Sequence, residues 1–207
     1  MSAVDRQPFL ICLVWTAALI VSGIAPYDRL TWFMEVLPAL IAAPLLLATR
    51  NRLPLTSLVY ILIAIHGLIL IYGGAYTYAR TPFGFWLQDL FGLMRNPYDR
   101  IGHLAQGFVP ALLARELLLR LFGISGRKIL FFLVVCVCLA ISAFYELVEW
   151  WAALLIGAGA DEFLATQGDV WDTQWDMFLA LIGAVAAQLL LGGRHDRQLT
   201  VLALKAP

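Results

Sequence analysis

Apolar residues along the chain gather into six long runs separated by short polar stretches. The runs cover about residues 9–25, 33–49, 55–73, 101–122, 129–157 and 175–192. Each is close to the ~20 residues with which a helix crosses a bilayer. The fifth is longer than a crossing requires and is expected to tilt or protrude. The second contains Pro38 and Pro44, which favours a kink. Between the third and fourth runs lies Phe83-Gly84-Phe85-Trp86-Leu87-Gln88-Asp89-Leu90-Phe91, too short to cross and rich in aromatics. It predicts an interfacial or re-entrant helix.

Composition sharpens this picture. The 207 residues are 62% hydrophobic and 14% charged, against roughly 45–50% and 25% in a soluble domain. One soluble core cannot absorb that excess. Disorder, a coiled coil and a disulfide scaffold are excluded by the same values. The expected fold is all-α: a single polytopic membrane bundle over residues 1–207, with about six transmembrane helices and the extra helix in the third loop. Cys12, Cys136 and Cys138 lie in apolar runs without a C-x-x-C spacing and suit packing roles. Asp5 and the length of the first run favour a retained helix over a cleaved signal peptide.

Fourteen basic residues balance fourteen acids, so net charge points to no partner and offers no basic surplus for nucleic acid. Their positions say more. With the N-terminus inside, inner segments hold Arg6, Arg50, Arg52, Arg120, Arg127, Lys128, Arg194, Arg197 and Lys205. Outer loops hold only Arg29, Arg80, Arg95 and Arg100. Nine against four predicts both termini in the cytoplasm. The fifth loop, with Asp161-Glu162-Phe163-Leu164, has no basic residue.

Polar residues inside or beside the runs are costly and point to function. Asp99, His103 and Gln106 are spaced i, i+4, i+7, one stripe of a helix, and a carboxylate with an imidazole one turn away can share a metal or a proton. Asp99 also suits a helix N-terminus without any chemistry. Glu146 and Glu149 are spaced i, i+3 in the fifth run. They call for a metal, an arginine partner or a proton suited to acid/base work, unless Glu149 has already emerged into water. Asp169, Asp172 and Asp176 are spaced i, i+3, i+7 and form a face suited to a hard cation or to arginines. His66 reads as a helix–helix hydrogen-bonding residue. Glu116, beside Arg115 and Arg120, reads as a local ion pair.

Depth links these groups. Glu146 lies about 25 Å along its helix from Ile129, so Asp99, His103, Glu146, Glu149, Asp169, Asp172 and Asp176 all fall in the outer half. In this arrangement Glu146, His103 and Asp99 are candidate catalytic residues. Asp169, Asp172, Asp176 and Glu149 are candidate metal ligands for Mg, Mn, Ca or Zn. Arg95, Arg100 and Gln167 are candidate substrate contacts for a phosphate or carboxylate.

Four stretches carry a resemblance: 73–78 (Gly-Gly-Ala-Tyr-Thr-Tyr), 95–103 (Arg-Asn-Pro-Tyr-Asp-Arg-Ile-Gly-His), 142–150 (Ser-Ala-Phe-Tyr-Glu-Leu-Val-Glu-Trp) and 167–177 (Gln-Gly-Asp-Val-Trp-Asp-Thr-Gln-Trp-Asp-Met). The chain resembles the YjdF-like bacterial inner-membrane family over nearly its whole length. That family implies no settled activity. A weaker likeness runs to VanZ-like membrane proteins through Asp99 with His103, Glu146, and Asp172 with Asp176, and implies a cell-envelope role. No H-E-x-x-H or G-x-S-x-G is present, and three histidines cannot build a desaturase-type box. Three functions stay open: a metal-assisted enzyme on a lipid or lipid-linked envelope substrate, a small transporter or proton-coupled carrier, and a structural or partner-binding membrane protein.

Overall fold

The computed structural model describes residues 3–157 and 166–204. The expected acidic stretch Asp161–Leu164 and the basic Lys205 lie outside the described residues. Seven helices are described and, among the described residues, no strand: α1 (Ala3–Ile24), α2 (Arg29–Thr49), α3 (Ser57–Ala75), α4 (Pro82–Phe91), α5 (Tyr98–Arg120), α6 (Arg127–Ile156) and α7 (Asp172–Ala203). Five of them, α1, α2, α3, α6 and α7, are long and apolar enough to cross a membrane. The sixth long helix, α5, has 23 residues, enough to cross, but carries the polar stripe and both Arg115 and Glu116. Its position explains the difference. It packs against α3, α6 and α7, so its polar side chains face protein instead of lipid.

The six long helices alternate in direction, which gives the bundle two ends. One holds α4 and the starts of α2, α5 and α7. The other holds the starts of α3 and α6 and the last turns of α7. α5 and α7 therefore run parallel, and they pack closest of all pairs because small residues meet. Gly107 leaves no room for a Cβ against the Ala180 carbonyl, and Gly183 none against the Leu104 carbonyl. Ala111, Ala184 and Ala187 continue this seam fully buried. In lipid, such close backbone contact supplies the packing that the hydrophobic effect does not.

Local sequence sets the helix ends. Thr81 accepts the Gly84 N–H at 3.3 Å to start α4, Pro82 occupies its first turn, and Gly92 ends it at φ +60°. Only Gly84 of α4 is buried, while Phe83, Phe85, Trp86, Leu90 and Phe91 are exposed, the pattern of an interfacial helix. Asn96, wholly buried, ties α4 to α5: it donates to the Thr81 carbonyl at 3.1 Å and accepts the Tyr98 N–H at 3.1 Å. Asp28 caps α2 by accepting the Thr31 N–H at 2.7 Å. That bond holds the exposed Asp28 carboxyl below the usual carboxylate range. The depressed value means the cap stabilises above the unfolded pKa and is lost as pH falls through the folded one. Asp28→Ala is expected to lower stability by about 1 kcal/mol at neutral pH. Melting curves should show this gap closing in acid, and a pH-independent gap would exclude a charged cap.

Two features depart from the sequence expectation. The last helix does not stop near Gly192 but continues to Ala203, because 193–203 is amphipathic: His195 is buried while Arg194 and Arg197 face out. The three aspartates do not share one helical face, because α7 begins only at Asp172 and Asp169 lies in the preceding turn. Cys136 and Cys138 do diverge, one exposed and one buried.

Candidate functional site

At the α4 end, three helices bring their polar residues to one place. α5 presents Asp99 and His103, α6 presents Glu146 and Glu149, and α7 presents Asp172 and Asp176. Parallel α5 and α7 keep Asp99 level with Asp172, and His103 level with Asp176. His103 stands at the centre, 5% exposed. Its Nε2 lies 3.5 Å from an Asp99 oxygen and 3.9 Å from an Asp176 oxygen, and its Nδ1 lies 3.8 Å from Glu146. Donor atoms of Asp99, His103 and Asp176 all lie within 4.8 Å of one another, as do those of His103, Glu146 and Glu149. His103 Nδ1, Glu146 Oε1 and Asp176 Oδ1 are buried and make no hydrogen bond. Polar atoms buried at such cost normally have partners.

The remaining candidates form a clasp above this centre. Arg95 pairs with Asp172, reaches Asp99 at 3.5 Å and Asp169 at 3.7 Å, and donates to the Thr166 carbonyl at 3.0 Å. Arg100 pairs with Asp169 at 2.8 Å and lies over the Trp175 ring. Gln167 exchanges two hydrogen bonds with the Asn96 backbone, at 3.0 and 2.9 Å, which hold its unusual φ of +49°. The expected set of three metal-binding aspartates thus divides: Asp169 and Asp172 face arginines, and Asp176 faces the imidazole.

Beside His103 is a cavity of about 190 Å³ lined by Asp99, Gln106, Tyr78, Tyr145, Glu149, His66 and Glu35. The Asp99–His103–Gln106 stripe therefore faces one space, as its spacing implies. Tyr78 enters this wall because Gly73 and Gly102 leave room for its ring, and the turn that carries it holds Thr77 and Tyr78 at positive φ. Glu35, 6% exposed, escaped the sequence reading. An acid near the start of the second apolar run was the signal for it.

A second polar network closes the opposite end. Glu116, fully buried, accepts from Arg120 at 2.7 Å, from the Thr56 hydroxyl at 2.8 Å and from the Thr56 N–H at 3.1 Å. His195 Nε2 lies 2.9 Å from its other oxygen, and Arg115 bridges His195 at 3.2 Å to Asp196 at 2.6 Å. The local pair expected for Glu116 is part of a network joining α3, α5 and α7. Its members are all partnered, unlike those around His103.

A family model described as "Predicted membrane protein (DUF2238)" matches residues 8–197. The Inner membrane protein YjdF of Escherichia coli (strain K12) is 58% identical over 187 residues, which are 90% of each chain. The chain belongs to this membrane-protein family. No solved structure matches it. The four stretches that carried the resemblance build the α4 end: 73–78 brings Tyr78 to the cavity, 95–103 and 167–177 form the clasp and half of the His103 centre, and 142–150 supplies its glutamates.

Proposed function

We propose that this protein is a divalent-metal-dependent enzyme of the inner membrane that acts on a lipid or lipid-linked substrate of the cell envelope. The observation that carries this reading is the buried set Asp99, His103 and Asp176, whose ligand atoms lie within 4.8 Å of one another and in which Asp176 Oδ1 has no hydrogen-bond partner. Ligands each ~2.1 Å from one cation stand roughly 3–3.5 Å apart, close to the 3.5 and 3.9 Å found around His103 Nε2. Asp99, His103 and Asp176 are assigned as the metal ligands. One imidazole with carboxylates suits Zn or Mn better than Ca or Mg. Three protein ligands leave room for a substrate oxygen, as catalytic sites do. A cation here would supply Lewis acidity toward a phosphoryl or carbonyl oxygen.

The chain's own groups take the other roles. Glu146, 3.8 Å from Nδ1, sets a negative charge behind the ring and favours a proton on that nitrogen. Glu149 and Glu35 line the cavity and are placed to move a proton. Arg95, Arg100 and Gln167 serve the substrate indirectly, by holding Asp99 and the 166–169 turn in place. The excess of basic residues in the termini and the loops expected on their side supports a cytoplasmic position for that end and an outward-facing His103 centre. A proton-coupled carrier fits less well, because α5 has no titratable side chain between His103 and Arg115 to link the two polar ends.

Protein purified in detergent without chelator is expected to carry about one equivalent of a transition metal by mass spectrometry. Asp176→Ala and His103→Ala should each lose it. Wild-type protein that stays metal-free after incubation with Zn²⁺ and Mn²⁺, with a melting midpoint indifferent to both, would refute the assignment.

A further inference from the structure

The cavity beside His103 does not end at the polar residues. Its far wall, at Pro38, His66, Leu70 and Pro110, is shared with a second cavity of about 350 Å³ whose remaining lining is almost wholly apolar. Two small residues, Ala39 and Ala42, line it, while Gly67 makes room for the Trp15 ring that closes one side. Helix order explains why it exists. α2 and α5 both pack on α3 but hardly touch each other, so a cleft floored by α3 runs between them. Pro38 in α2 and Pro110 in α5 stand on either side of it, and each removes a helix N–H and pushes against the carbonyl four residues back. From Pro38 to Thr49 the chamber follows α2 for about 16 Å, roughly half of the ~30 Å hydrocarbon thickness of a bilayer. At the junction sits His66, whose Nε2 is buried without a hydrogen-bond partner.

We propose that this chamber binds one hydrocarbon chain of a lipid, admitted from the bilayer between α2 and α5, with the polar head in the carboxylate–His cavity and His66 bonded to an oxygen at the head–tail junction. The inference deepens the enzyme reading and rests on it for the fate of the head. The chain site itself stands on separate features: apolar lining, single-leaflet length, continuity with the polar cavity and an unpartnered donor or acceptor where head meets tail. A pocket of this size and character is typical of small-molecule sites. The two chambers together have the polarity order of a lipid whose head lies at the His103 centre and whose chain runs on toward the end of α2 opposite α4.

The probe is a single-chain lysophospholipid carrying a mid-chain diazirine, photolysed with the full-length protein in nanodiscs. Peptide mapping is expected to place the adducts on α2 and α5 residues of the chamber, such as Leu46 and Leu113. Ala42→Trp fills the chamber and should reduce chamber labelling at least fivefold with its metal content unchanged. Ala39→Leu is the milder filler in case the tryptophan unfolds the bundle, and should reduce labelling about twofold at an unchanged melting midpoint. His66→Leu should weaken saturation of labelling several-fold. Adducts confined to outward residues such as Phe132 and Leu154, or chamber labelling untouched by both fillers, would overturn the proposal. Chamber labelling of a wild-type protein that binds no metal would leave the chain site standing and sink the metal centre. Metal loss in Asp176→Ala with no chamber labelling would do the reverse.

Discussion

Glu116→Ala is expected to be among the most destabilising single substitutions in this protein. Glu116 has no exposed surface, and its two oxygens receive Arg120, Thr56 and His195. Removing it takes the acceptor from the buried His195 imidazole and from the Thr56 N–H and hydroxyl, and leaves the Arg120 guanidinium with the Pro54 carbonyl but no carboxylate. Breaking a buried charge pair from one side costs about 3–5 kcal/mol. For a chain of this length that corresponds to a fall in Tm on the order of 10 °C. Glu116→Gln keeps an acceptor for Thr56 but not the charge, so its loss should be smaller. Thr200, exposed near the end of α7, supplies the control, since Thr200→Ala removes only a bond to the Asp196 carbonyl. Thermal unfolding followed by tryptophan fluorescence in detergent measures all three. The network joins α3, α5 and α7 far from His103, so metal content per folded molecule should not change. A Glu116→Ala midpoint within a degree or two of the Thr200→Ala midpoint would show that the network contributes little.

The contrast between the two polar ends explains what could be read from sequence. Helix number and placement were legible because a bilayer demands long apolar runs, and α4 was legible because its aromatic stretch is too short to cross. α5 was legible as the apolar run 101–122, although it also carries the polar residues of a helix wrapped by others. Stripes on single helices were legible by the same rule. Asp99, His103 and Gln106 line one cavity, and both Glu146 and Glu149 reach His103. What depended on a helix boundary was not. Asp169 was read on one helical face with Asp172 and Asp176, but the helix starts only at Asp172, and of the two partners open to that face, cation or arginine, Asp169 has Arg100. The sixth run was ended at 192, so His195 drew no reading, yet the helix continues and turns the ring inward. Partners from distant segments have no local signature at all. Thr56 and Glu116 are sixty residues apart, and nothing in either neighbourhood announces the other.

The α5–α7 seam joins fold to site most directly, and Gly107→Val tests it. His103 lies one turn before Gly107 on α5, and Asp176 one turn before Ala180 on α7. The two glycines let the helix backbones touch: Gly107 against the Ala180 carbonyl, Gly183 against Leu104 and Phe108. A valine at 107 must displace backbone, which has no alternative rotamer to adopt. Overpacking of this kind costs about 1–3 kcal/mol and more where the neighbour is rigid. Spreading α7 from α5 also lengthens the 3.9 Å gap between His103 and Asp176, and metal affinity falls steeply once ligands leave bonding range. Gly107→Val is therefore expected to lower the melting midpoint by roughly 5–10 °C and to abolish binding of the proposed cation. Gly107→Ala should fall between. Gly193, which has open space around it, gives the converse case: Gly193→Ala should leave metal content unchanged and stabilise by about 0.5–1 kcal/mol through helix propensity. If Gly107→Val melts with the wild type and keeps its metal, then the close approach of α5 and α7 does not set the geometry around His103. If stability falls while the metal is retained, the seam supports the fold but does not position Asp176. Loss of both places the spacing of the carboxylate–His centre in two glycines that carry no chemistry of their own.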